Sequence, residues 1–257
     1  MFKQGKKLLY LLVFLPFLTS CDNIPEDDRY IDTGAVNVAR KVLLEEFTGQ
    51  RCTNCPDAHQ IIERLEDQYG DDLIVVSIHA GPFGIAAPDG LMVPTGEEYA
   101  SRWNISAYPA GVVDREGGVL SPDGWANAIR TQIGKISPVD ISVDASLVGD
   151  SIEVTSTVSS SEALKASLQL WVTQDSIVGF QIDDGTRIPD YVHNNVFRGC
   201  VNGTWGQPLE IAPNIYNTLS NRIAVDPEWD VKNLHIVGFV YDSSGVIQAD
   251  KTAIKIK

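Results

Sequence analysis

The chain has 257 residues, 44% of them hydrophobic, and a formal net charge of −14. This length and apolar content suffice for two domains of ordinary size and exclude a disordered chain. The acidic balance excludes nucleic acid as a favoured partner, because a phosphate backbone attracts basic surfaces.

The first twenty residues have the proportions of a signal peptide. Three lysines precede an apolar run at 8–18, which is shorter than the roughly 20 residues of a membrane-spanning helix. The run ends in LTSC, which resembles the bacterial lipobox, whose cysteine is acylated and starts the mature protein. We therefore predict a signal peptide at 1–20 and lipidation of Cys21. An ordinary cleavage site is the alternative.

Residues 21–35 are acidic and contain a proline, which is typical of a tether. An acidic stretch directly after the lipidated cysteine resembles the surface-export signal of Bacteroidetes lipoproteins. The resemblance implies a lipid-anchored protein of the outer membrane. Exposure at the cell surface and a periplasm-facing position both stay open.

The sequence CTNCP at 52–56 lies where an apolar strand pattern at 42–47 gives way to a helical pattern that ends at Gly70. This spacing predicts both sulfurs in the first helical turn, where unpaired backbone N–H groups and the helix dipole favour a thiolate. Arg51 adds a cation beside them. Cys52 is the predicted nucleophile, exposed at the helix terminus, with Cys55 one turn deeper.

The stretch VLLEEFTGQRCTNCP resembles the strand, active-site loop and helix of the thioredoxin superfamily. The resemblance implies that Cys52 attacks, that Cys55 resolves and that Glu46, at the position of the family's buried acid, relays protons from Cys55. Arg51 replaces the usual aromatic residue, and Thr-Asn is an uncommon pair between the cysteines. These departures count against a general reductase.

Zinc binding is a competing chemistry, since Cys52 and Cys55 share a helix with His59, and His79 ends the next strand. Zinc needs four ligands, or three and a water molecule. The strand and helix order already explains the cysteines, so we predict no metal and no cofactor.

A short apolar run at 73–78 predicts a parallel strand and completes a βαβ unit. The Gly- and Pro-rich stretch 80–96 is predicted to overhang the active site, and 95–107 reads as a helix. The following Tyr108-Pro109 resembles the superfamily's cis-proline, which implies a Tyr108 main chain free to pair with a substrate strand. An ordinary trans-proline is the alternative. Tyr108 and Arg51 are thus the predicted substrate-binding residues.

From Pro138 onward apolar and polar residues alternate, which predicts antiparallel strands and an immunoglobulin-like sandwich. The predicted fold is therefore an α/β thioredoxin-like domain at 36–137 followed by an all-β immunoglobulin-like domain at 138–257. A weakly patterned segment at 178–229 includes the stretch His193–Asn195. That stretch either belongs to a functional loop or makes hydrogen bonds at a corner of the sandwich.

The four cysteines divide by position. With Cys21 assigned to the lipid, Cys52 and Cys55 are expected to pair in an exported compartment that permits disulfides. Cys200 is left over, as a resolving thiol or as a small buried hydrophobe, and no role is assigned to it.

The chain resembles the twenty-eight-kilodalton outer-membrane lipoprotein family of Bacteroidetes over nearly its whole length. The motifs that carry this resemblance are the lipobox, CTNCP at 52–56, HNNVFRG at 193–199 and NGTWG at 202–206. The motifs favour thiol-disulfide exchange with exported proteins, with the membrane as a second partner through the lipid anchor. The alternative is a non-enzymatic surface binding or adhesion protein in which the Cys52–Cys55 disulfide is structural.

Overall fold

The computed structural model describes residues 37–256, which contain three α-helices and sixteen strands. The helices are α1 (Cys55–Tyr69), α2 (Pro94–Arg102) and α3 (Pro122–Gln132). The strands of the first half are β1 (Val38–Ala39), β2 (Val42–Thr48), β3 (Leu73–His79), β4 (Ala110–Val113), β5 (Glu116–Leu120) and β6 (Ile136–Ser137). Those of the second half are β7 (Val139–Val148), β8 (Ser151–Ser160), β9 (Leu164–Gln174), β10 (Ile177–Asp183), β11 (Thr186–His193), β12 (Val196–Cys200), β13 (Gln207–Ile211), β14 (Asn217–Ala224), β15 (Leu234–Asp242) and β16 (Gly245–Ala253). The described chain is mostly β, with few helices.

Nine strands form one mixed sheet in the order β16-β15-β9-β12-β3-β2-β4-β5, with β13 also paired to β9. β2 and β3 are parallel, as predicted, and β12 is parallel to β3 through Val196 and Ser77. The sheet therefore crosses the predicted boundary at 137/138, since β3 precedes it and β12 follows it.

The two faces of β2 belong to different cores, because successive side chains of a strand point to opposite sides. Leu44 packs beneath α1 and α3 with Trp125. On the other face Phe47 packs in one cluster with Trp171 and Phe239 from the second half of the chain. The halves thus share a core, and the division at 137/138 stays a prediction about chain organisation.

A three-stranded sheet, β14-β8-β7, packs against the strands of the large sheet that come from the second half of the chain. Val143 and Ile152 from this sheet pack with Leu170 and Ile236 from the larger one. The approach is close at Gly238, where an added Cβ would lie 2.6 Å from Val143 Cγ2. Beyond Gln132 the described residues include no α-helix, only a 3₁₀ turn at Val231–Asn233.

Helix boundaries differ from the predictions in two places. α1 begins at Cys55 with Asn54 as its N-cap, so only one of the two cysteines lies in the first turn. The predicted end at Gly70 is confirmed. α2 stops at Arg102 rather than continuing to residue 107, because Asn104 adopts a left-handed φ of 53° that a helix cannot accommodate.

None of the helices within residues 37–256 is long and apolar enough to cross a membrane. The predicted signal peptide at 1–20, the tether at 21–35 and the lipidation site Cys21 lie outside the described residues.

Candidate functional site

A disulfide joins Cys52 and Cys55 in the turn that links β2 to α1, which confirms the predicted pairing. Cys55 is the first residue of the helix, and Pro56 follows it in the first turn, where a missing backbone donor costs little. The Cys52 amide is fixed in a tight turn by donating to the Gly49 carbonyl at 2.9 Å.

Pro109 lies at the same end of the sheet as the disulfide. β4 is antiparallel to β2, and Ala110 at its start pairs with Phe47 near the end of β2. The Tyr108–Pro109 peptide bond is cis, as predicted. Among residues 37–256 no hydrogen bond uses the main chain of Tyr108, which is half-buried. The prediction that Tyr108 binds substrate stays a prediction.

Cys52 is not exposed, contrary to the prediction. Only 2% of its surface is accessible, and Cys55 is fully buried. The β10–β11 hairpin lies on the turn: Gln181 Nε2 donates to the Cys52 carbonyl at 2.9 Å and to the Gly49 carbonyl at 3.2 Å. The amide of Gly185, at the tip of the hairpin, donates to Thr53 Oγ1 at 2.9 Å.

The Gly- and Pro-rich segment 80–96 also contacts this turn. The Phe83 carbonyl accepts from the Arg51 amide at 3.0 Å, and Gln50 Oε1 accepts from the Leu91 amide at 3.1 Å. Its predicted position over the disulfide thus agrees with these contacts. The side chain of Arg51 is exposed, which leaves its proposed part in substrate binding sterically free.

Glu46 is fully buried, and neither of its carboxylate oxygens makes a hydrogen bond to the described residues. Its Oε1 lies 3.3 Å from His59 Nε2, which also lies 3.1 Å from Thr48 Oγ1. The other ring nitrogen of His59 is 2.7 Å from the hydroxyl of Tyr191 on β11. The β10–β11 hairpin is therefore connected to Glu46 by two successive contacts, from Tyr191 to His59 and from His59 to Glu46.

Two more histidines line the pocket between α1, β3 and the hairpin. His79 and His193 are buried, with ring centroids 5.4 Å apart. Burial, reinforced by the neighbouring His193, holds the pKa of His79 well below its ordinary value. Burial also lowers the pKa of His193 to about 4, and His59 adds to this. Both rings are neutral near pH 7.

The site does not have the donor arrangement of a zinc centre. The two sulfurs are bonded to each other, and residues 37–256 contain no cluster of three His, Cys, Asp or Glu side chains that could hold a metal ion. His59 instead contacts Glu46 and Tyr191, and His193 contacts the Phe180 carbonyl.

Sequence reasoning missed the hairpin and, with it, the contacts of Gln181 and Tyr191. The segment from residue 178 has a weak hydrophobic pattern because most side chains of β11 are exposed or half-buried. Asp184-Gly185 was the available signal, since Asp-Gly between strands is typical of a two-residue hairpin turn.

The remaining polar and thiol candidates have local partners. Asn194 Oδ1 accepts from the Ser176 amide at 2.9 Å, and Asn195 Nδ2 donates to Glu66 Oε1 at 2.9 Å. Cys200 is unbonded and lies on β12, 3.2 Å from the hydroxyl of Tyr99. Burial raises the pKa of Cys200 to about 11, so its thiol stays protonated at neutral pH.

These features define a mostly β protein with a mixed sheet and a disulfide at a strand-to-helix turn. A family model described as outer membrane protein Omp28 matches residues 96–257, and the chain belongs to the Omp28 family. Membership confirms the predicted outer-membrane location. The matched span excludes Cys52 and Cys55, so it carries no information about their chemistry.

Two solved structures share the fold. HBP35 of Porphyromonas gingivalis is 18% identical, with a TM-score of 0.65 over 84% of this chain and 76% of its own. A protein from Agrobacterium tumefaciens is 15% identical, with a TM-score of 0.53 over 83% of this chain and 94% of its own. A domain of the outer membrane lipoprotein Omp28 from P. gingivalis is 23% identical over 47% of this chain and 91% of its own, with a TM-score of 0.35. A search of curated protein sequences found no match.

Proposed function

We propose that the protein is a lipid-anchored outer-membrane thiol-disulfide exchange protein, with a thioredoxin-like arrangement in its first half and an immunoglobulin-like packing of strands in its second. The observation that carries the proposal is the Cys52–Cys55 disulfide at the N-terminus of α1, at the same sheet end as Pro109. The order β2-α1-β3, followed by β4, β5 and α3, supports the thioredoxin-like reading.

In this proposal Cys52 attacks the disulfide of an exported protein, and Cys55 resolves the mixed disulfide. Unpaired N–H groups at the start of α1 stabilise a thiolate there. The free main chain of Tyr108 would pair with an extended segment of the partner, and exposed Arg51 would contact it. Glu46 would accept the proton of Cys55.

A second function is favoured by one observation, the 2% exposure of Cys52. A disulfide sealed under a hairpin is suited to fixing the turn between β2 and α1, and the protein would then bind a partner without exchanging disulfides. Structural disulfides of exported proteins are typically sealed and resistant to reduction.

Trapping of mixed disulfides separates the two functions. Cys55→Ser should accumulate covalent partners on non-reducing gels of cell envelopes, because the resolving thiol is missing. Cys52→Ser is the matched control and should accumulate almost none. Equal trapping by both variants, or none by either, favours the binding protein.

A further inference from the structure

Glu46 has one titratable side chain in ion-pair contact, His59, whose Nε2 is 3.3 Å from Oε1. The carboxylate has no exposed surface and makes no hydrogen bond within residues 37–256. A carboxylate buried this way exchanges protons through a neighbouring group, because bulk water does not reach it. His59 is the group placed to do so.

The second nitrogen of His59 faces outward. Nδ1 lies 2.7 Å from the hydroxyl of Tyr191, which is half-buried on β11. Burial raises the pKa of Tyr191 to about 12, with Glu46, Glu63 and Asp183 adding to this. The hydroxyl thus keeps its proton near pH 7 and can accept one hydrogen bond while donating another.

Cys55 and His59 are four residues apart on α1, and residues at this spacing lie on one helix face. Glu46 points to the same side of β2 as Leu44, which packs with the buried face of α1. The acid therefore lies on the side of the sheet covered by the helix that carries both Cys55 and His59.

The charges around His59 favour proton exchange with Glu46. Burial lowers the pKa of His59, but the nearby carboxylates of Glu46 and Glu63 more than offset this, so the pKa lies above its ordinary value. His79 on β3 and His193 on β11 face the same pocket and are neutral near pH 7, because burial lowers both pKa values. Being neutral, His79 and His193 do not form ion pairs with the carboxylate of Glu46 in place of His59.

We propose that His59 transfers the proton of the resolving step between Glu46 and solvent, an inference that rests on the proposed function. The Cys55 thiol gives its proton to Glu46, and its sulfur bonds to Cys52 Sγ. The bond from Cys52 to the partner breaks, and the partner leaves as a thiolate with the electron pair of that bond. His59 takes the proton from Glu46 at Nε2 and releases one at Nδ1, by way of Tyr191, to water.

The step is balanced without another redox reagent. The Cys52 and Cys55 pair is oxidised to the disulfide, and the two sulfurs of the partner are reduced. His59 does not touch the reacting sulfurs, so it is a positioning and proton-transfer residue rather than a catalytic one. Its role shows in the resolving step and not in the first attack.

The test uses full-length protein in detergent, reduced and freed of reductant, in a Cys200→Ser background that removes the third thiol in the described chain. An aromatic disulfide with a coloured thiolate product is the probe. It releases one thiolate when Cys52 attacks and a second when Cys55 resolves. His59→Gln should leave the first release within about twofold and slow the second by about tenfold or more, as loss of acid–base transfer does.

Three further results complete the test. Tyr191→Phe, which keeps the ring, should slow the second release less than His59→Gln. The pH profile of that release should flatten in His59→Gln, whereas His235→Gln, a control on β15, should leave rate and profile unchanged. An unaltered second release in both site variants, or equal slowing of both releases, overturns the inference. Absence of a second release from the unsubstituted protein overturns the proposed function instead.

Discussion

Gln181 Nε2 donates a hydrogen bond of 2.9 Å to the carbonyl of Cys52, which lies 129 residues earlier in the chain. The same nitrogen also contacts the Gly49 carbonyl. The side chain is fully buried, so it fastens the β10–β11 hairpin to the turn that holds the disulfide. Because only 2% of the Cys52 surface is accessible, we expect a reaction at this residue to require the contact to open.

Weakening the contact should therefore speed the reduction of the disulfide. Gln181→Leu keeps the bulk but loses the donor, and the unpaired carbonyls favour the opened hairpin by about 1–3 kcal/mol. We expect dithiothreitol to reduce the disulfide of this variant roughly tenfold faster than that of the unsubstituted protein. Alkylation of the free thiols at successive times, followed by mass spectrometry, measures the rate. Val178→Ser, at an exposed position of the same hairpin, should react like the unsubstituted protein. Equal rates for both variants would show that the hairpin does not cover the disulfide.

Acid should destabilise the fold partly through His193. Its folded-state pKa of about 4 lies below the ordinary 6.5, so below pH 6.5 the unfolded chain takes up a proton that the folded chain does not. Stability from this residue is complete above pH 6.5 and is lost as the pH falls toward 4. At 1.36 kcal/mol per pKa unit the loss approaches about 3 kcal/mol.

His193→Gln isolates this contribution, because glutamine can still donate to the Phe180 carbonyl that His193 contacts at 3.3 Å. Urea unfolding at pH 7 and at pH 4.5 measures the free energy of unfolding of both proteins. The variant should lose less stability on acidification than the unsubstituted protein. The same acid loss in both would assign the pH dependence to other groups.

Arg115 links the two halves of the chain. Its Nε lies 2.6 Å from Oε1 of buried Glu45, and its guanidinium lies 4.8 Å from the ring centroid of Phe239 and 4.5 Å from that of Tyr241. Arg115→Met leaves Glu45 buried without its cation, which should cost about 3–5 kcal/mol of unfolding free energy.

The double variant Glu45→Gln with Arg115→Met should recover a large part of that loss, since no buried charge is then left unpaired. Arg130→Met, on the exposed surface of α3, is the control and should change stability by less than about 0.5 kcal/mol. The denaturant midpoint of unfolding is measured for the unsubstituted protein and for the three variants. A small loss for Arg115→Met would mean that the ion pair contributes little.

Membrane attachment should depend on Cys21. Replacing it with alanine removes the predicted acylation site, and several acyl chains are what hold such a protein stably on a bilayer. Cys21→Ala should appear in the soluble fraction after a high-salt wash of outer membranes. Unchanged sedimentation of the variant would refute the lipid anchor.

Local patterns predicted the parts of the fold that are set by neighbouring residues. The β-branched run at 73–78 and the apolar stripe of α1 foretold β2-α1-β3, because each pattern has the period of its element. The burial of Cys52 beneath the hairpin could not be predicted from the sequence. Gln181 is 129 residues away along the chain, and the strand that carries it, β10, has no distinctive periodicity. Nor did the sequence reveal that β12 pairs with β3 and joins the halves in one sheet.

His59 shows the same limit within the site. The sequence shows that His59 follows Cys55 by four residues, but this spacing suggests only a metal ligand. Its role beside Glu46 became apparent only when the strand, the helix and Tyr191 of the hairpin were brought together. Contacts between three separate elements carry no signature in any one of them.

The reduction potential of the Cys52 and Cys55 pair tests the central claim most directly. Equilibration of the full-length protein with thiol-disulfide buffers, followed by alkylation, measures the fraction of reduced pair at each potential. An exchange protein should give a value between about −120 and −270 mV, the range of known thiol-disulfide oxidoreductases. A value below about −300 mV is that of a structural disulfide and would contradict the proposed function.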